Sequence, residues 1–228
     1  ILHYASASIP WNRIMTTTLT LDFLLLPVLG VTKLMENSLD ATRSMTEKLR
    51  TGENPYLQHN FGPVSDEMMN VPLNVLVGKI PNDLRGAFLR NGPNPKHTPK
   101  GLYHWFDGDG MIHSVRLRGS HGDATYTNHQ IRTRKLKYED ERGFSDWLKV
   151  GDMKGPLGLM KMGLFNARSY LGDTRLRSLL SQLPDGVANT SIKLHAGKLM
   201  ACSEMYYPTT LRLREVSELY NYFCIYSS

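Results

Sequence analysis

Two stretches of this chain fold back on themselves around short turns, and that pattern limits the architecture more than any other feature. Met111, His113, Val115 and Leu117 alternate with Ile112, Ser114, Arg116 and Arg118, the two-residue period of a strand with one apolar face. Gly119-Ser-His-Gly-Asp123 is a turn, and Ala124 to Thr133, rich in Thr and Tyr, reads as the returning strand. A second hairpin spans Asn189 to Glu204 around His195-Ala-Gly-Lys198, and Thr210 to Leu213 begins another strand. Successive hairpins predict an antiparallel all-β fold, a sandwich, barrel or propeller. No clean internal repeat of ~40 residues selects the propeller.

Two helical stretches interrupt this texture. Asp146 to Leu183 is Leu- and Met-rich with several Gly, an insertion between the hairpins. Upstream, Val31, Leu34, Met35, Leu39, Met45 and Leu49 fall roughly on one helical face, with Glu36, Asp40, Arg43 and Lys48 elsewhere. This amphipathic helix either packs its apolar face inward or anchors at an interface. Thr51-Gly-Glu-Asn-Pro55 ends it. The apolar run Leu19 to Val31 holds Asp22, Pro27 and Gly30 and falls short of the ~20 residues a membrane span needs. Residues 1–21 have no acidic side chain, one Arg and several Ser and Thr, a weak likeness to an organelle transit segment. Ile1 is no translation start, and Met15 is the expected initiator.

Charge narrows the partners. Residues 131–180 carry eleven basic and six acidic side chains, so +5 of the chain's +6 lies there. No basic, aromatic-interleaved motif for nucleic acid accompanies it. The same window contains Leu157-Gly-Leu-Met-Lys-Met-Gly-Leu-Phe165. Basic plus apolar fits a membrane-surface contact, the alternative being a buried helix with solvated charges beside it. Cys202 and Cys224 are too few for a disulfide framework or a cysteine-rich zinc site, and they fit a reducing compartment.

Three segments go beyond texture: Leu89-Arg-Asn-Gly-Pro-Asn-Pro95, Tyr103-His-Trp-Phe-Asp-Gly-Asp-Gly-Met-Ile-His113 and Ala188 to Glu204, with Asn60-Phe-Gly-Pro-Val64 upstream. Gly92, Pro93 and Pro95 impose a fixed turn after Arg90 and Asn91. Asp107, Gly108, Asp109 and Gly110, preceded by His104 and Phe106, form a loop entering the strand at Met111, with the carboxylates placed to accept from backbone N–H groups. A metal site at His104, Asp107, Asp109 and His113 is the other reading of that spacing. In this order, over about residues 55–214, the four segments resemble the carotenoid cleavage oxygenase family. The plant-type dioxygenases look nearest, in the branch cleaving near the 9,10 bond.

The resemblance implies an all-β fold with helical insertions: the first blades of a seven-bladed propeller, preceded by the amphipathic helix. Residues 1–54 would be an N-terminal extension, 55–214 the first blades with a membrane-facing insertion near 146–183, and 215–228 a divergent tail. It implies Fe(II) held by four imidazoles with carboxylates behind them, and scission of a carotenoid or apocarotenoid C=C bond by O2 into two carbonyl products. Leu157, Leu159, Met160, Met162, Leu164 and Phe165 match the patch through which the substrate leaves the bilayer, at a peripheral membrane site in cytosol or plastid. Glu204 matches a carboxylate that steadies an iron-bound imidazole; by strand alternation it shares a face with Met200 and Cys202 and points inward. The family's first iron-binding His lies in an Ala-His-Pro setting absent here, and none of the eight His stands at a ligand position. A propeller does not close on this length, so the chain by itself is expected to hold no iron and not to turn over. The competing readings are an inactive truncated isoform, an isomerase of the same fold and an interaction module.

Overall fold

The computed structural model describes residues 11–51, 54–119, 124–181, 186–215 and 223–227. Two open four-stranded antiparallel sheets carry the β structure, and no closed propeller is formed among the described residues. The first sheet is ordered β1-β4-β3-β2, from Met68–Leu73 (β1), Arg85–Pro93 (β2), Gly110–Arg118 (β3) and Ala124–Gln130 (β4). The second runs β5-β6-β7-β8, from Ser191–His195, Lys198–Cys202, Thr209–Glu215 and Phe223–Ser227. The β5–β6 turn is the expected Ala196-Gly197, with φ of 47° and 72°. Two successive left-handed residues are the signature of a type I′ hairpin, whose twist matches that of paired strands.

The two sheets meet through Ile112, Ile131, Ala188, Leu199, Ala201 and Leu211. Ile112 therefore sits in the core although alternation assigns it to the polar face of β3; both faces of that strand are covered at its start. Gly110 is what lets the sheets approach. A Cβ there would lie 2.3 Å from the Ala188 carbonyl oxygen.

Among the described residues, four α-helices accompany the sheets. Helix α1 runs Trp11–Thr51, longer than the pattern from Val31 suggests and continuous through Pro27. Helix α2 (Arg134–Arg142) was not foreseen. Thr133 caps its start by accepting from the Leu136 N–H, and Gly143, at φ 74°, ends it. Helices α3 (Gly155–Leu171) and α4 (Thr174–Ser181) form the expected insertion. Tyr138, Trp147, Phe165 and Leu176 make a second core between α2 and the insertion.

Helix α1 packs the opposite way round from an ordinary amphipathic helix. Glu36, Asp40 and Arg43 are buried (Glu36 is 3% exposed), while Leu34 and Met45 are each 65% exposed. Its inward face is held by charge. Arg168 of α3 donates to Glu36 at 2.8 Å and to Asp146 at 3.0 Å, and Lys33 pairs with both carboxylates. Lys161 of α3 bridges Asp40 and Asp152, and Arg43 donates to the carbonyls of Gly151, Asp152 and Lys154. Of the two readings of this helix, the packed apolar face is corrected: paired partners on α3 make the charged stripe the one that can be buried. Residues 31–45 are accordingly strapped to the insertion. At the far end, the tail expected to diverge after 214 supplies β8, paired to β7. The turn expected at 119–123 falls mostly outside the described residues.

Candidate functional site

The three sequence motifs form one hydrogen-bonded unit, stitched by asparagine side chains. Asn91 on β2 donates to the Ala188 carbonyl at 2.7 Å, joining the first motif to the third. Asn189 donates to the carbonyls of Gly108 (2.6 Å) and Phe106 (3.0 Å), joining the third to the second. Asn94 clamps the Val64 backbone from both sides, accepting from its N–H at 2.7 Å and donating to its carbonyl at 2.8 Å. Asn94 and Asn189 lie inside the quoted motifs, yet nothing in the sequence distinguishes their carboxamides from solvent-facing ones.

The strand-entry loop uses its carboxylates as expected of a turn. Asp107 accepts from the N–H groups of His104 (2.9 Å) and Val150 (2.6 Å). Asp109 accepts from the Lys96 N–H at 3.3 Å and from Lys135 Nζ at 2.6 Å. His104 accepts from the Phe106 N–H through Nδ1, and His113 bonds Tyr126 at 2.6 Å. His104, Asp107, Asp109 and His113 are thus spent on backbone and neighbours, which favours the turn over the metal site. Arg90, Gly92 and Pro93 continue the β2–β3 ladder, opposite His113, Met111 and Gly110.

This unit walls a cavity of about 430 Å³. Trp147, Met162, Phe165 and Leu180 line its helical side, Lys135 and Glu139 its α2 side, and Thr190, Ser203 and Glu204 the side nearest β6. A second cavity, of about 620 Å³, holds Tyr56, Phe61, Arg90, Trp105 and His113. Tyr103, Phe106, Asn189 and Thr190 belong to the walls of both. Phe61 packs edge-on against Trp105, ring centroids 4.8 Å apart.

Buried ion pairs fix the protonation of the first cavity's α2 wall. Burial alone pushes the Glu139 carboxyl up, but the Lys135 ammonium at 2.9 Å and the N–H groups of Trp147 and Asp146 outweigh it and hold it below the usual range. Burial likewise opposes the charge on Lys135, and its pairs with Asp109 and Glu139 win, raising its pKa. Asp146 follows the same pattern: burial raises it, and Arg168 and Lys33 bring it below the usual value.

Glu204 is at this cavity but is not placed as strand alternation predicts. β6 ends at Cys202, its buried side chains are Leu199 and Ala201, and Glu204 stands exposed in the bend that follows. Alternation fails because the strand stops two residues short of it. On α3, Leu157, Leu159 and Met160 are exposed, Met162 and Leu164 are half-buried, and Phe165 is 4% exposed. Phe165 is corrected from the outward patch to the inner core, where it packs edge-on to Trp147 at 5.9 Å. Among the described residues no group of three or more His, Cys, Asp or Glu is arranged to hold a metal ion. His97 is spent on Asp140 and His129 on Glu67, so among the described residues the imidazoles are not arranged as a four-histidine iron centre.

A family model described as "Retinal pigment epithelial membrane protein" matches residues 61–222, eight residues past the end of the motif resemblance at 214. A carotenoid 9,10(9′,10′)-cleavage dioxygenase of Phaseolus vulgaris is 41% identical over 164 residues, covering 72% of this chain and 29% of the relative. The Arabidopsis thaliana protein of the same name is 40% identical over the same shares. A 9-cis-epoxycarotenoid dioxygenase of Arabidopsis thaliana, described as chloroplastic, is 37% identical, covering 65% of this chain and 25% of the relative. Among solved structures, the lignostilbene dioxygenase of Pseudomonas brassicacearum superposes with a TM-score of 0.51 at 20% identity, covering 70% of this chain and 28% of that one. A variant of the Synechocystis apocarotenoid oxygenase gives 0.50 at 25% identity, over 66% and 28%. The chain spans less than a third of the length of the curated relatives it matches.

Proposed function

The chain belongs to the carotenoid cleavage oxygenase family, and from that membership we propose that it is the N-terminal part of an Fe(II)-dependent dioxygenase that splits a carotenoid or apocarotenoid C=C bond with O2. The double bond breaks and each of its carbons leaves as a carbonyl. The observation carrying this reading is the cavity that runs from the inner side of α3 and α4 to Thr190 and Glu204, walled by apolar side chains and by the stitched motifs. It offers an elongated apolar chain a path from the helices to the carboxylate.

The chain's own residues have three parts in that reading. The motif unit shapes the path and keeps water from it. Glu204, exposed here at the β6 side of the cavity, would orient an imidazole supplied by the rest of the polypeptide; that remainder would also supply the iron ligands. The outward faces of α1 and α3 dock on a lipid surface, which admits the substrate without passage through water. Leu26, Val31, Leu34, Met35 and Met45 on α1 and Leu157, Leu159 and Met160 on α3 are exposed, with the exposed cations Lys154, Arg175 and Arg177 on the insertion. Apolar area with cations on the same insertion, Arg175 among them paired with Glu141, suits an anionic bilayer. No helix among the described residues is long and apolar enough to cross a membrane.

The test is product analysis with the full-length polypeptide, loaded with Fe(II) and given an apocarotenoid in micelles. Two shorter carbonyl compounds support the reading. A single product with all its carbons would make the enzyme an isomerase, and no conversion by a protein carrying iron would refute the proposal.

A further inference from the structure

Two buried lysines face the first cavity and are held in opposite ways. Lys135 Nζ is locked between Asp109 at 2.6 Å and Glu139 at 2.9 Å. Lys149 is 7% exposed, and among the described residues its Nζ makes one hydrogen bond, to the Trp147 carbonyl at 3.4 Å. The carboxylates around it make their hydrogen bonds to other groups, and Asp152 Oδ1 is buried with no hydrogen-bond partner among the described residues. Asp152 Oδ2 accepts from Lys161 Nζ and from the Lys149 backbone N–H, and Asp152 Oδ1 lies on the Gly101 side, 2.9 Å from where a Cβ there would sit. Asp40 is bridged by Lys161, and Glu139 by Lys135. Burial pushes the Lys149 amine down; Asp152, Asp40 and Glu139 pull it up, Lys161 adds to the push, and the net is a lowered pKa. A desolvated lysine without a carboxylate partner is the usual form of a nucleophilic amine.

We propose that Lys149 is an aldehyde-binding residue, its amine condensing reversibly with an apolar aldehyde lodged against Trp147, Met162 and Phe165. The neutral Nζ attacks the carbonyl carbon, a C–N bond forms, and the carbonyl oxygen departs as water with the two Nζ hydrogens, leaving a C=N bond. No oxidant or reductant takes part, and hydrolysis reverses the step. The inference rests on reading the cavity as the path of a polyene whose scission ends in carbonyl groups. Such an imine retains an otherwise insoluble product until hydrolysis frees it.

The test needs neither iron nor turnover. The full-length polypeptide is incubated separately with a polyene aldehyde and with hexanal, reduced with cyanoborohydride, digested and mapped by mass spectrometry. Lys149 is expected to be labelled by both, about tenfold or more over the exposed Lys198 and over the salt-bridged Lys135, because it alone is a buried amine on the cavity wall without a salt bridge. Lys149→Arg, which preserves the charge and forms no imine, is expected to lose that adduct and no other. Labelling spread evenly over surface lysines, or absent from Lys149, overturns the proposal. The two readings fail separately. Labelled Lys149 in a protein that cleaves no polyene leaves the amine site standing, and cleavage without any Lys149 adduct removes the amine site alone.

Discussion

Replacing Arg168 by Met tests whether charge straps α1 to the insertion. The Arg168 side chain is 3% exposed and joins Glu36 at 2.8 Å to Asp146 at 3.0 Å. Met fills much of the same space, so the loss is chiefly that of the guanidinium. Two buried carboxylates then remain. Breaking a buried pair from one side costs ~3–5 kcal/mol. Lys33 still touches both acids and is about a quarter exposed, so it absorbs part of the deficit and the low end applies. A cost of ~3 kcal/mol is a factor of roughly 100 in an equilibrium constant. Local opening of α1 is where it should appear, read as hydrogen exchange of the amides of residues 31–45 in the full-length protein, faster by about that factor. The sheet amides of 111–117 should change little. Adding Glu36→Gln should restore part of the loss, because one orphaned charge goes with it. A rise below about fivefold (~1 kcal/mol) in R168M would refute the strap.

Four further outcomes follow from the geometry. Gly110→Ala puts a methyl 2.3 Å from the Ala188 carbonyl oxygen, so separating the sheets should cost ~1–3 kcal/mol, seen as a lower midpoint in urea. Glu204→Ala should leave the urea midpoint within ~0.5 kcal/mol, since the side chain is exposed, yet lower iron content or activity of the full-length enzyme ~10–100-fold; unchanged iron and activity would remove its proposed role. Glu139 and Asp146 have folded-state pKa values below their ordinary ones, so their contribution is complete above the usual carboxylate range and drains away as the pH falls through the folded values. Stability followed from pH 7 to 3 should therefore fall on the acid side, and a flat profile would contradict the pairing. Leu34→Glu with Leu159→Glu should abolish co-sedimentation with anionic vesicles while leaving the urea midpoint unchanged, since both side chains already face out.

What the sequence disclosed follows from how local each determinant is. The second hairpin was legible because a type I′ turn is written in two residues, Ala196 and Gly197. The family was legible from Pro, Gly and Asp at fixed offsets in the motifs. Helix α2 was hidden because Arg134-Lys-Leu-Lys-Tyr-Glu-Asp-Glu-Arg142 reads as a solvated charged run, and only the distant Asp109 makes burying Lys135 tolerable. The inverted face of α1 was hidden for the same reason: its partners Arg168 and Lys161 lie more than a hundred residues away. Glu204 was misplaced because the end of a strand depends on where its neighbours stop pairing, which alternation does not encode. Leu157, Leu159 and Met160 face outward on α3, while Phe165, further along the helix, packs against Trp147, a contact that no local pattern in α3 encodes.

The carboxamide stitches of Asn91, Asn94 and Asn189 join the motifs without a single ionisable atom. Acid that neutralises carboxylates loosens the helical cover and leaves those stitches intact. Acidification would thus strip the pairs that hold the helical cover and the carboxylate bonds of the strand-entry loop, while the carboxamide seams between the motifs persist.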